Sequence, residues 1–87
     1  MKATLHLIRL EEGCLLRGRI HVELPTKDRL KYMQKVVDGL IDIYHHQGRD
    51  WVVNDEGLLL DLPLNPWALE QGLQIAGNII EVHGVLE

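Results

Sequence analysis

Leu16-Arg17-Gly18-Arg19-Ile20-His21-Val22-Glu23-Leu24 is the stretch on which the fold turns. Leu16, Gly18, Ile20, Val22 and Leu24 fall on one parity and Arg17, Arg19, His21 and Glu23 on the other. Successive side chains of a strand point to opposite faces, so this period of two specifies a half-buried antiparallel strand with one wet face. Upstream, residues 3–10 are apolar enough for a partner strand, and Glu11-Glu12-Gly13 supplies a turn. A hairpin around Glu12-Gly13 is therefore expected. Downstream, Pro25 cannot donate to a ladder and ends the strand. Thr26 then fits an N-cap, with Asp28 in the first turn complementing the helix dipole. The spacing predicts a helix over 27–38, with Leu30, Met33, Val36 and Val37 forming one apolar stripe and Gly39 stopping it at C′.

Further strands are expected over 40–46, 51–54, 58–62 and 77–85. Asp55-Glu56-Gly57 reads as a hairpin turn with Gly57 at positive φ, which makes Gly57→Val destabilising. Asn65-Pro66 looks like an N-cap followed by an N1 proline, opening a short helix over 67–71 that Gly72 closes. The expected order is β-β-α-β-β-β-short α-β. This is an α+β chain, a small mostly antiparallel sheet with one main helix packed on one face, and residues 1–87 form a single domain.

Composition sets the class. A chain of 87 residues with 46% hydrophobic and 25% charged side chains is globular rather than disordered. No apolar run approaches the roughly 20 residues that span a bilayer, so no membrane role is expected. Met1-Lys2-Ala3-Thr4 leads directly into an apolar strand without a leader pattern, and the lone Cys14 cannot form an internal disulfide. Both point to a cytoplasmic setting. Charge is uneven: residues 1–49 carry all nine bases against six acids, and residues 50–87 carry seven acids and no Lys or Arg. One-signed halves can steer a charged partner, but in a small domain they are expected to interleave. The net charge of −4 argues against nucleic acid as a partner.

Four segments carry a family resemblance: Val37-Asp38-Gly39-Leu40-Ile41-Asp42, Val53-Asn54-Asp55-Glu56-Gly57, Leu62-Pro63-Leu64-Asn65-Pro66 with Ala68, and Ile75-Ala76-Gly77-Asn78-Ile79-Ile80. In this order they resemble a domain of unknown function found in small proteins of bacteria, phages and other mobile elements. The resemblance implies a phage or mobile-element accessory protein and brings no activity with it. The N-terminal hairpin, Trp51 and the His45-His46 pair depart from that pattern.

Candidate chemistry is sparse. Adjacent His45 and His46 point to opposite faces of a strand, and His6, His21 and Glu23 lack the spacing of a metal motif. Phosphate-loop, nucleophile-elbow and dinucleotide-binding signatures are absent, so no enzyme, metal or cofactor is expected. Arg17 and Arg19 form the best anion-facing pair, because guanidinium forks bind phosphate or carboxylate. His21, Trp51, Asn54, Asn65 and Trp67 complete the candidate binding residues; Asn54 and Asn65 serve first as turn and cap residues. The expected function is a non-enzymatic accessory protein acting by protein–protein contact, inhibition of a host defence system being one form. The alternative is a binder of an anionic, nucleotide-like small ligand using Arg17, Arg19 and a tryptophan. Consecutive apolar residues at Leu58-Leu59-Leu60, Trp51-Val52-Val53 and Ile79-Ile80 expose apolar surface on both sheet faces. One main helix covers only one face, which predicts a homodimer.

Overall fold

The computed structural model describes residues 1–84 and 86. Two hairpins dominate it, β1 (Lys2–Glu11) with β2 (Cys14–Glu23) and β3 (Ile41–His46) with β4 (Arg49–Asn54). Helix α1 (Arg29–Val37) joins them, and α2 (Pro66–Glu70) precedes the last strand, β5 (Ile79–Val82). Both hairpins turn on two residues at positive φ, Glu12 (51°) with Gly13 (80°) and Gln47 (51°) with Gly48 (77°). That is the type I′ geometry, whose twist matches the strands it joins. All five strands form one antiparallel sheet in the order β2-β1-β5-β4-β3. The α+β class and the antiparallel sheet are as expected.

β5 fills the gap between the hairpins, pairing Leu5 with Ile80 on one side and Val52 with Ile80 on the other. The acid-rich second half of the chain thus lies at the centre of the sheet, interleaved with the basic first half. On one face Ala3, Leu5, Val52, Ile80 and Val82 pack with Met33 and Val37 of α1 and with Leu24. On the other, Trp51, Val53 and Ile79 pack with Ala68 of α2 and with Ile75, flanked by Trp67 and Leu73. Consecutive apolar residues in β4 and β5 are therefore covered on both sides, as strands central to a two-faced core must be. The shortage of cover on which the expected homodimer rests is absent at these strands, because α2 and its flanking segments lie where water was expected.

The boundaries of α1 differ from expectation. Thr26 does not cap it; Asp28 precedes the first turn at φ 52° without a side-chain cap bond. At its other end Asp38 (φ 64°), not Gly39, takes the left-handed conformation, and the Gly39 N–H donates to the Gln34 carbonyl (3.0 Å). Gly39 answers a steric need instead, since a Cβ there would lie 2.8 Å from Asn54 Nδ2. Leu30 stands 54% exposed, and the buried stripe runs through Met33 and Val37, supported by Tyr32 and Val36.

The strand expected over 58–62 does not form. Leu60 N–H donates to Glu56 O (2.8 Å), Asp61 to Leu58 O (3.2 Å) and Leu62 to Gly57 O (3.1 Å), winding the segment into tight turns. Asn54 Oδ1 accepts the Glu56 N–H (2.7 Å) and starts them, a local side-chain bond that competes with extension. Leucine favours such helical turns at least as well as strands, so an all-leucine run carries little directional information. Gly57 is accordingly not in a hairpin and not at positive φ; it is buried against Ala76. β5 is also shorter than expected, and Val85, placed at its end by the sequence, lies outside the described residues.

Candidate functional site

β2 is an edge strand, and its register against β1 decides what its charged face meets. Arg17 pairs with Ile8, Arg19 with His6 and His21 with Thr4, so these side chains share the face on which α2 lies. Continuing across the sheet, His6 pairs with Ile79, and Thr4 pairs with Glu81, which in turn opposes Trp51. An open cleft of about 250 Å³ results, lined by His6, Ile8, Arg17, Arg19, Asn65 and Trp67 among others.

The cleft's inner wall is built around His6, which is only 4% exposed. Its Nε2 lies 3.0 Å from Glu81 Oε1, and the other carboxylate oxygen accepts from Arg49 Nη1 (2.6 Å). The imidazole stacks on Trp67 with 3.6 Å between ring centroids and 7° between planes. Trp67 stands between His6 and Trp51, whose ring is 4.3 Å away and tilted by 39°. Burial lowers the His6 pKa, and the Arg19 and Arg17 charges push the same way; the Glu81 contact opposes them without prevailing. Burial alone would raise Glu81, but the bonds and charges of His6 and Arg49 outweigh it and hold the carboxyl below its ordinary range. A carboxylate can only accept, so neutral His6 carries its proton on Nε2 and leaves Nδ1 as an acceptor. Nδ1 has no protein partner among the described residues.

Arg17 and Arg19 form the outer wall. Arg17 makes an exposed ion pair with Glu70 (3.0 Å), a contact of the weak kind that a ligand can displace. Arg19 has no ion pair among the described residues. His21 sits farther along β2, where its Nδ1 and His83 Nε2 both contact Thr4 Oγ1 (3.0 and 2.8 Å). No group of three or more His, Cys, Asp or Glu among the described residues is placed to hold a metal ion. His45 and His46 diverge as adjacent strand residues must, His45 bonding Asp50 and His46 meeting Trp51 edge-on.

The remaining sequence candidates are fully engaged by the protein. Asn65, 1% exposed, accepts the Trp67 N–H at Oδ1 (3.0 Å) while Nδ2 donates to His6 O (3.2 Å) and Gly77 O (2.9 Å). Asn54 Nδ2 donates to Val37 O (2.9 Å) and Asp38 O (3.2 Å), closing the end of α1. Trp51 is 2% exposed, and Trp67 has its faces taken by His6 and Trp51, so neither offers a free surface for a stacked base. The structure thus brings Arg17, Arg19, Trp67 and the fully bonded Asn65 together at the cleft. His21 stands apart from it, Asn54 and Trp51 hold the scaffold, and Asn65 does so from within the cleft wall. Glu81 and Arg49 were not singled out from sequence, and His6 was weighed only as a metal ligand; no local spacing links residues from β1, β4 and β5.

The pair's protonation has a measurable consequence. His6 titrates below its ordinary 6.5 in the fold, so the unfolded chain takes up this proton first and stability falls as pH drops below about 6.5. Glu81 and Asp50 are held below their ordinary 4.5 and 3.8, Asp50 chiefly by the Leu86 N–H, then by His45 against the opposing effect of burial. Their contributions are present above those values and are lost as pH falls through the folded-state pKa of each. Urea midpoints measured from pH 7 to pH 3 should therefore fall in two stages, and His6→Gln should remove the first. A profile flat from pH 7 to pH 5 would contradict a neutral buried His6.

These features define a class: a small α+β domain with a two-faced sheet and a cationic cleft on its edge hairpin. The family model described as Domain of unknown function (DUF3846) matches residues 7–85, and the chain belongs to that family. No curated protein and no solved structure matches it significantly.

Proposed function

We propose that the protein binds a small phosphate-bearing ligand, nucleotide-like in charge, between Arg17, Arg19 and the wall formed by His6. One observation carries this: two guanidinium groups on neighbouring same-face positions of β2 line the same cleft as a buried, pre-oriented imidazole. Guanidinium forks suit phosphate, and a cleft that already fixes its polar groups loses little entropy on binding. The ligand's ring, if it has one, lies against the outer wall rather than on Trp67, whose faces are occupied. In the phage or mobile-element setting that the family resemblance implies, such a binder sequesters a host nucleotide and so blunts a defence system. Replacing Arg17 and Arg19 together with Ala should weaken binding of a nucleoside monophosphate by about tenfold or more and flatten its salt dependence. Undiminished binding in the folded double variant would overturn the reading.

A protein-contact reading has its own support at Leu58, Leu59 and Leu60, which stand 67%, 84% and 55% exposed. Leucines this exposed at three successive positions mark a contact surface. With a second copy as partner, sedimentation equilibrium should report a dimer that Leu59→Asp returns to monomer. A wild-type monomer at all concentrations would remove the homodimer.

A further inference from the structure

A buried imidazole must satisfy its N–H, and here the carboxylate that does so is itself fixed by an arginine. His6 is held on three counts: Nε2 bonds Glu81, Arg49 fixes the far oxygen of that carboxylate, and Trp67 stacks flat on the ring. Its backbone carbonyl is tied as well, accepting from Asn65 Nδ2 (3.2 Å). The ring therefore has one orientation and one tautomer, and the nitrogen left without a protein partner is Nδ1, on a residue that lines the cleft beside Arg19, its cross-strand neighbour. Every cation at the cleft offers donors only, since guanidinium groups cannot accept. His6 Nδ1 is thus the acceptor set beside two anion-binding forks. The dianion of a phosphate monoester has no proton on its phosphate to give it; one with a hydroxyl on the neighbouring carbon has a proton there.

Resting on the anion-binding reading above, we propose that the cleft selects phosphate monoesters bearing a free hydroxyl on the adjacent carbon, with Arg17 and Arg19 on the phosphate and His6 Nδ1 accepting the hydroxyl proton in a hydrogen bond. A ribonucleoside 3′-phosphate, with its 2′-hydroxyl, has this chemistry; its 2′-deoxy counterpart does not. A ligand that displaces the water reaching this acceptor and brings no donor of its own loses a hydrogen bond, which makes such a contact discriminate more sharply than added apolar area would.

The test is calorimetric titration at pH 7.5 of the whole protein with adenosine 3′-monophosphate and with 2′-deoxyadenosine 3′-monophosphate, which share base and phosphate. The hydroxyl-bearing ligand should bind about tenfold more tightly, the size of one well-formed hydrogen bond. His6→Leu should bring the two affinities together. His6→Asn, whose side-chain oxygen can stand near the position of Nδ1, should restore part of the difference. Circular dichroism and a cooperative thermal transition report whether each variant is folded. Equal affinities in the wild type would overturn the proposal while leaving anion binding intact. Binding of neither compound, nor of inorganic phosphate, would overturn the anion-binding reading and this proposal with it. A preference that persists in His6→Leu would assign the hydroxyl to another group and overturn the role of His6.

Discussion

Asn65→Ala is expected to cost about 3 kcal/mol of folding free energy. Three bonds go together: the cap on the Trp67 N–H and the two donors to His6 O and Gly77 O. Losing the cap costs about 1 kcal/mol, and each buried carbonyl left without its donor adds about 1 kcal/mol or more. In a domain of this size that lowers Tm by roughly 15 °C. Asn65→Asp separates the parts, because it keeps the capping oxygen but presents a carboxylate to two carbonyl oxygens. It should be at least as damaging as Ala, whereas Asn65→Ser, able to cap from a shorter side chain, should fall between Ala and wild type. Thermal and urea unfolding measure all three. A loss below 1 kcal/mol for Ala would mean that α2 is held by its apolar contacts and that Asn65 is dispensable. Since Asn65 ties the backbone beneath His6 to the first turn under Trp67, the Ala variant should also loosen the stacked wall of the cleft.

Gly57→Val should be comparably severe, by a different route from the one its sequence context suggests. A Cβ at Gly57 would lie 2.8 Å from Ala76 O and 3.3 Å from Ala76 Cβ. Ala76 cannot step aside without disturbing its bridge to Leu64 and the neighbouring Asn65 N–H bond to Ile75 O (2.8 Å). Overpacking of this kind costs about 1–3 kcal/mol, with Val at the upper end. Gly57→Asn is the discriminating variant: asparagine tolerates a left-handed turn position but carries the same Cβ. Asn and Ala should therefore both lower the urea midpoint, and an innocuous Asn would restore the hairpin turn that the chain's spacing first implied.

The two variants mark how far the candidate site was legible. Arg17 and Arg19 were visible as an anion-facing pair because strand parity alone puts them on one side, and Asn65 was visible as a cap because Asn-Pro is a local signal. Glu81 and Arg49 gave no such sign. His6 and Glu81 stand 75 residues apart, and nothing in the composition of β1 indicates that β5 will lie beside it. Closing a long loop costs little more than closing a medium one, so chain distance does not forbid or predict such a pairing.

Neighbouring residues settle among themselves the parity of β2, the Glu12-Gly13 turn, the Met33–Val37 side of α1 and the Asn65-Pro66 start of α2. The half-burial expected of β2 does not follow, because this edge strand has no element packed over its apolar side and Leu16 and Ile20 stand 47% and 49% exposed. Backbone sterics, side-chain parity and capping bonds act over a few residues, and they leave a readable period. The remainder depends on contacts between residues distant in the chain. The tertiary structure wound Leu58, Leu59 and Leu60 into turns, because an unbroken apolar run is compatible with strand, helix or turn and the Asn54 bond to Glu56 tipped the balance. It set β5 between the two hairpins, where both faces of Ile79-Ile80 find cover, and so assembled His6, Glu81, Arg49 and Trp67 from four separate elements. That placement follows from burying apolar surface on both sides of one sheet, a requirement of the whole chain that no local window of it expresses.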